Sequence, residues 1–131
     1  RAAVLAAALL CFALPLRCGA EPQAALQGGL DATVAALSEG RTDDAIALAR
    51  ETLELARRHP APDPQLFAYA LNNLAYGLQL SGQAGQGSGV LYQEALEHLA
   101  ARGQDVSPAA LTVTANLAGL EAAAGSGCSG F

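Results

Sequence analysis

The chain has 131 residues, enough for a single domain. Its net charge of −5 argues against a nucleic-acid partner, which would require a basic face. Just over half of the residues are apolar (52%) while only 5% are aromatic, and alanine is the most frequent apolar residue. Because alanine has the highest helix propensity, the composition predicts an all-α fold with closely packed helices.

The N-terminal segment has the features of a secretory signal. Arg1 precedes the apolar run Ala2–Leu16, and Cys18 and Ala20 fit the small-x-small pattern that precedes a cleavage site. As a helix, the run would span roughly 22 Å, less than the ~30 Å hydrocarbon core of a bilayer. We therefore predict a cleaved signal peptide over residues 1–20, export to the periplasm or cell exterior, and no stable membrane anchor after cleavage. An organelle transit peptide and the buried N-terminal helix of a cytoplasmic protein are the alternatives.

Two helices separated by glycine are predicted after this segment. Apolar residues recur at helical spacing over 23–38, which predicts a first helix. The recurring apolar residues are Leu26, Leu30, Val34 and Leu37. Gly40 is the predicted C-cap residue of this helix. Thr42 is the predicted N-cap of a second helix, which runs to about Arg57.

Three further helices are predicted, again separated by proline or glycine. Asp63–Pro64 reads as an N-cap followed by proline at the first helical position, and Ser107–Pro108 repeats this arrangement. A glycine-rich gap at 82–89 interrupts the helical pattern between them. The predicted ranges are 64–80, 90–101 and 108–124. Residues 126–131 are predicted to form a flexible Gly/Ser tail.

The helical pattern repeats along the chain. The stretches NLAYGLQLSG (73–82) and NLAGLEAAAG (116–125) share their opening Asn-Leu-Ala and their closing glycine. Gly40, Gly82 and Gly125 are 42 and 43 residues apart. Self-similarity at a fixed period of this size is typical of a solenoid. We therefore predict an α-solenoid of helix-turn-helix units over residues 21–125.

The second unit resembles a known family. LNNLAYGLQLSG (71–82), followed by LYQEAL (91–96) and preceded by the linker residues His59–Pro60, is similar to the tetratricopeptide repeat in its longer, kinesin-light-chain-like variety. The resemblance covers residues 24–125 and implies about two and a half repeats. It departs from the family pattern at Gly87, where the family usually has alanine. The third repeat supplies only its first helix, and we therefore expect the full protein to continue past the last residue.

The resemblance also implies where a ligand would bind. In the family, the first helix of each repeat lines a concave groove that holds a peptide or a partner helix. The positions implied here are Tyr69, Asn72, Asn73, Tyr76, Gln79 and Asn116. Carboxamides both donate and accept hydrogen bonds, so they suit an extended peptide backbone, and tyrosine adds apolar area with a polar tip. The alternative is that these asparagines only satisfy backbone groups between packed helices.

No catalytic, metal or cofactor site is predicted. His59 and His98 are isolated, and Glu94 and Glu97 are interpreted as a solvated helix face. No cysteine lies at metal-ligand spacing to a histidine or to another cysteine. We predict a non-enzymatic module that binds a protein or peptide partner. The alternatives are an N-terminal repeat appendage of a larger exported enzyme and a domain for self-association into a homo-oligomer.

Overall fold

The computed structural model describes residues 20–126, and over that range it contains helices and their connections without any strand. The five α-helices are α1 (Ala20–Ser38), α2 (Thr42–Arg58), α3 (Pro64–Leu80), α4 (Ser88–Ala100) and α5 (Pro108–Ser126). A short 3-10 turn, Ala84–Gln86, precedes α4. The all-α prediction is confirmed. The predicted signal peptide up to residue 19, the three cysteines and residues 127–131 of the predicted tail lie outside the described residues.

Local capping explains where α3 and α5 begin. The Asp63 carboxylate accepts hydrogen bonds from the backbone N–H groups of Gln65 and Leu66 at 2.9 and 3.1 Å, and Pro64 is the first helical residue. This arrangement satisfies backbone donors that a helix leaves unpaired at its start. The Ser107 hydroxyl accepts a similar hydrogen bond from the third residue of α5 at 3.3 Å. The predicted starts of both helices are confirmed.

The start of α2 differs from the prediction. Thr42 is the first helical residue rather than the N-cap, and no side chain caps this end of the helix. The N-cap position belongs to Arg41, whose guanidinium donates to Glu39 at 2.7 Å and to Asp44 at 3.0 Å. Acidic residues in the first turn, Asp43 and Asp44, stabilise the positive end of the helix dipole in place of a capping hydroxyl.

Three helices end at a glycine in the left-handed conformation. The φ angle is 74° at Gly40, 75° at Gly82 and 67° at Gly103. After each glycine, the next N–H bonds to the carbonyl five residues earlier at 2.7 to 2.9 Å, which closes the helix in a Schellman motif. Gly40 and Gly82 therefore hold equivalent places in the first two units. Gly125 does not share this role, because it lies inside α5.

The helices pack consecutively as a solenoid of two and a half hairpins. α1 pairs with α2 and α3 pairs with α4, while α5 has no second helix within the described residues. α3 contacts both α1 and α5, so these three helices form one layer. α2 packs against α1 and α3, and α4 packs against α3 and α5. No described helix combines the length and the apolar character needed to cross a bilayer.

The core is built from leucine and alanine. In α3, the residues Leu71, Leu74, Ala75 and Leu78 recur at helical spacing and are all buried, so they form the packed face of this helix. In α1, Val34 is one of the recurring apolar residues, yet its side chain is 54% exposed. The small side chains of Thr33 and Ala36 are fully buried in its place. Thr33 tolerates burial because its hydroxyl donates to the carbonyl of Gly29 at 2.8 Å.

Candidate functional site

An open groove lies between α1, α3 and α5 and has two adjoining compartments. We call the first the Asp31 compartment; it has a volume of about 340 Å³ and is lined in part by Gln27, Asp31 and Tyr69. We call the second the Leu80 compartment; it has a volume of about 410 Å³ and is lined in part by Leu37, Tyr76, Leu80 and Asn116. Three residues line both compartments and join them into one surface, namely Val34, Asn72 and Asn73.

Five of the six residues predicted to bind a ligand line this groove. They are Tyr69 in the Asp31 compartment, Tyr76 and Asn116 in the Leu80 compartment, and Asn72 and Asn73 in both. The sixth, Gln79, lines neither compartment. Its side-chain oxygen accepts a hydrogen bond from the Tyr92 hydroxyl at 3.0 Å, which ties α3 to α4. Burial raises the pKa of Tyr92 to about 12, so the hydroxyl remains a donor at neutral pH.

The three groove asparagines form a short chain of hydrogen bonds. The amide nitrogen of Asn116 donates to the Asn72 oxygen at 2.9 Å, and the amide nitrogen of Asn72 donates to the Asn73 oxygen at 3.4 Å. None of the three side chains bonds to a backbone group within residues 20–126. The Nδ2 of Asn73 and the Oδ1 of Asn116 have no partner there. This series of hydrogen-bonded asparagines therefore has a free donor, Nδ2 of Asn73, at one end and a free acceptor, Oδ1 of Asn116, at the other.

The chain of asparagines is also well fixed in place. Asn72 and Asn73 are only 5% and 8% exposed, although both line the groove. Their side chains lose little further conformational freedom when a ligand binds, because packing and mutual hydrogen bonds already hold them. The bond from Asn116 to Asn72 also connects α5 to α3 at the groove.

Sequence reasoning missed two kinds of groove residue. Val34 is about half exposed and supplies apolar surface to both compartments, although it was not named as a groove residue. Asp31 was not singled out, although it lies 42 residues before Asn73 and therefore holds the equivalent position of the first repeat. Its carboxylate accepts a hydrogen bond from Gln27 at 2.9 Å. The 42-residue period was the signal that could have identified it.

A separate polar cluster joins α2, α3 and α4. The Arg57 guanidinium donates two hydrogen bonds to the Glu94 carboxylate, at 2.8 and 3.0 Å, and lies 5.8 Å from the centre of the Phe67 ring. The His98 ring packs on the same Phe67 ring, with 4.4 Å between the two ring centroids. Glu94 lies at the surface with a side chain that is 36% exposed, and its carboxylate also pairs with an arginine of the preceding hairpin.

The position of His98 predicts a dependence of stability on pH. Its Nε2 is buried without a partner among the described residues, and burial, aided by Arg102 and opposed by Glu94, lowers the pKa of this imidazole. As the pH falls below about 6.5, the unfolded chain therefore binds a proton at this residue before the folded chain does. The stabilising contribution of neutral His98 is complete above that pH and is lost as the pH falls towards the lower folded value.

Urea unfolding at pH 7.5 and pH 5.5 checks this dependence on wild type and on His98→Phe, which keeps an aromatic ring on Phe67. We expect the wild type to lose more stability than the variant between these two values. Equal losses in the two proteins would show that this histidine does not contribute.

Comparisons with protein-family models, with curated proteins and with solved structures return no match to this chain. Within residues 20–126, no three His, Cys, Asp or Glu side chains are grouped so that they could hold a metal ion. The function is therefore inferred from the geometry of the groove and from the repeat pattern of the sequence.

Proposed function

We propose that this chain is a protein-interaction module that binds an extended peptide segment in the groove between α1, α3 and α5. The observation that carries the proposal is the chain of asparagine carboxamides, with the donor of Asn73 and the acceptor of Asn116 left free. An extended backbone offers both N–H and C=O groups, so it can pair with a free acceptor and a free donor together.

Two further features support a peptide as the ligand. Tyr69 lines the Asp31 compartment and Tyr76 lines the Leu80 compartment, and each can provide apolar contact area with a polar tip. Val34 and Leu80 leave apolar surface exposed between them, which burial under a ligand would remove from water. The proposed binding is non-covalent and uses the concave layer of first helices, as the resemblance to tetratricopeptide repeats implies. We also propose that the protein is exported, on the basis of its N-terminal segment.

A selection experiment tests the proposal. The full chain is immobilised, ligands are selected from a random linear peptide library, and the affinities of the selected peptides are measured by fluorescence anisotropy. Asn73→Ala is expected to weaken binding about five- to tenfold, the effect of losing one hydrogen bond at a partly desolvated site. Gln93→Ala is the matched control, because it removes an exposed carboxamide from α4, outside the groove.

The circular dichroism of both variants should match that of the wild type. Failure to select any peptide above background, or equal affinity of Asn73→Ala and wild type, would contradict the proposal.

A further inference from the structure

We infer that the peptide bound in this groove carries a lysine or arginine side chain that pairs with Asp31. The inference rests on the proposed function and names the class of ligand. Asp31 is charged, whereas the other side chains that line the two compartments are uncharged. No arginine or histidine of the described residues lines either compartment, so the groove attracts cations and repels acidic segments.

The carboxylate of Asp31 is positioned but not neutralised. Gln27 lies one helical turn earlier and donates to one carboxylate oxygen at 2.9 Å, which restricts the side chain. The second oxygen has no partner within residues 20–126, and none of the ion pairs in that range includes this residue. A charged donor from a ligand can therefore bond to it without displacing an internal cation, and such charge-assisted bonds are the stronger kind.

The surroundings of Asp31 suit a long basic side chain. Leu30, Leu66 and Tyr69 line the same compartment and provide apolar surface for the methylene stem. The tyrosine ring also attracts a cation through its negative face. Together these groups distinguish a basic residue from an apolar one, which would leave the carboxylate without a partner.

The second compartment predicts a second feature of the ligand. Leu37 and Leu80 give it an apolar lining, and Leu37 lies six residues after Asp31 in α1, ~9 Å along the helix axis. An extended peptide advances about 3.3 Å per residue, so roughly three residues cover this distance. The ligand is therefore a segment with an apolar residue about three positions from its basic residue. The backbone between these two residues bonds to the groove asparagines.

The same peptide library distinguishes this inference from the proposed function. Wild type, Asp31→Asn and Glu51→Gln are each used for selection; the last variant removes one exposed negative charge from α2, away from the groove. We expect the wild type and Glu51→Gln to enrich peptides in which a basic residue is near an apolar one. Asp31→Asn is expected to bind those peptides about three- to fivefold more weakly, with a smaller dependence on salt.

Each outcome decides one of the two claims. Enrichment of peptides without a basic residue, or equal affinity of Asp31→Asn and wild type for a lysine-containing peptide, would overturn the inference and leave groove binding intact. If no peptide is enriched, or if Asn73→Ala binds the enriched peptides as tightly as wild type, the proposed function fails and the inference fails with it.

Discussion

Replacing Leu71 by alanine is expected to lower the free energy of unfolding by about 3 kcal/mol. The side chain is fully buried in α3, which contacts each of the other four described helices. Its removal loses the transfer free energy of the buried atoms and leaves a cavity that the surrounding helices can only partly fill. Urea unfolding followed by helical circular dichroism measures the change.

Leu111→Ala is the matched control, because it makes the same substitution in α5 at a side chain that is 65% exposed. The cost there is expected to stay within about 0.5 kcal/mol. The two unfolding curves should have similar slopes, so that the difference lies in the midpoint. Similar losses of stability at the two positions would contradict the buried core around α3.

Gly29→Ala is expected to lower the free energy of unfolding by about 1–2 kcal/mol, although alanine is the better helix former. A β-carbon added at this glycine would overlap the Thr52 hydroxyl and approach the Cγ2 and Cβ of Thr52 at 3.1 and 3.2 Å. Thr52 is buried, and its hydroxyl already bonds to the Leu48 carbonyl at 2.7 Å. A rotamer change can move the hydroxyl and the Cγ2 of Thr52 but not its Cβ, which stays at 3.2 Å, so α1 must also move away from α2.

The neighbouring Gly28 provides an internal control, because its replacement by alanine is expected to change the stability in the opposite direction. A β-carbon at Gly28 would meet nothing within 4 Å, so Gly28→Ala is expected to stabilise the protein by about 0.5–1 kcal/mol through helix propensity alone. In a Thr52→Ala background, Gly29→Ala should cost about 1 kcal/mol less than in the wild type. Thermal unfolding of the four variants measures both effects. Stabilisation by Gly29→Ala in the wild type would refute the close contact between the helices.

Local signals were sufficient to predict α3 but not the orientation of α1. α3 has the predicted bounds, because Asp63 and Pro64 start it and its leucines recur at one helical spacing. α1 is rich in alanine and glycine, so several rotations about its axis bury similar apolar area. The close approach of Gly29 to Thr52 favours the rotation that buries Thr33 and exposes Val34. That contact joins residues of two helices and is not visible in the periodicity of either one.

The candidate site was predicted to a similar extent. The resemblance to the tetratricopeptide repeat implied which positions face a groove, and five of those six residues line the groove of the structure. It could not show that Gln79 bonds to Tyr92, or that Asn116 bonds to Asn72 rather than to the aligned Asn73. Both bonds depend on how far one helix is displaced along another when they dock, and that displacement is set by side-chain packing between helices.

The central position of α3 predicts that the two ends of the helical layer open more readily than its middle. α3 packs against every other described helix, whereas α1 and α5 lie at the two outer edges of the layer that forms the groove. Amide hydrogens in α3 should therefore exchange most slowly with solvent, and those of α5 should exchange early through local opening. A peptide that spans both compartments would contact α1, α3 and α5 at once, and by mass action would slow exchange at the edges most.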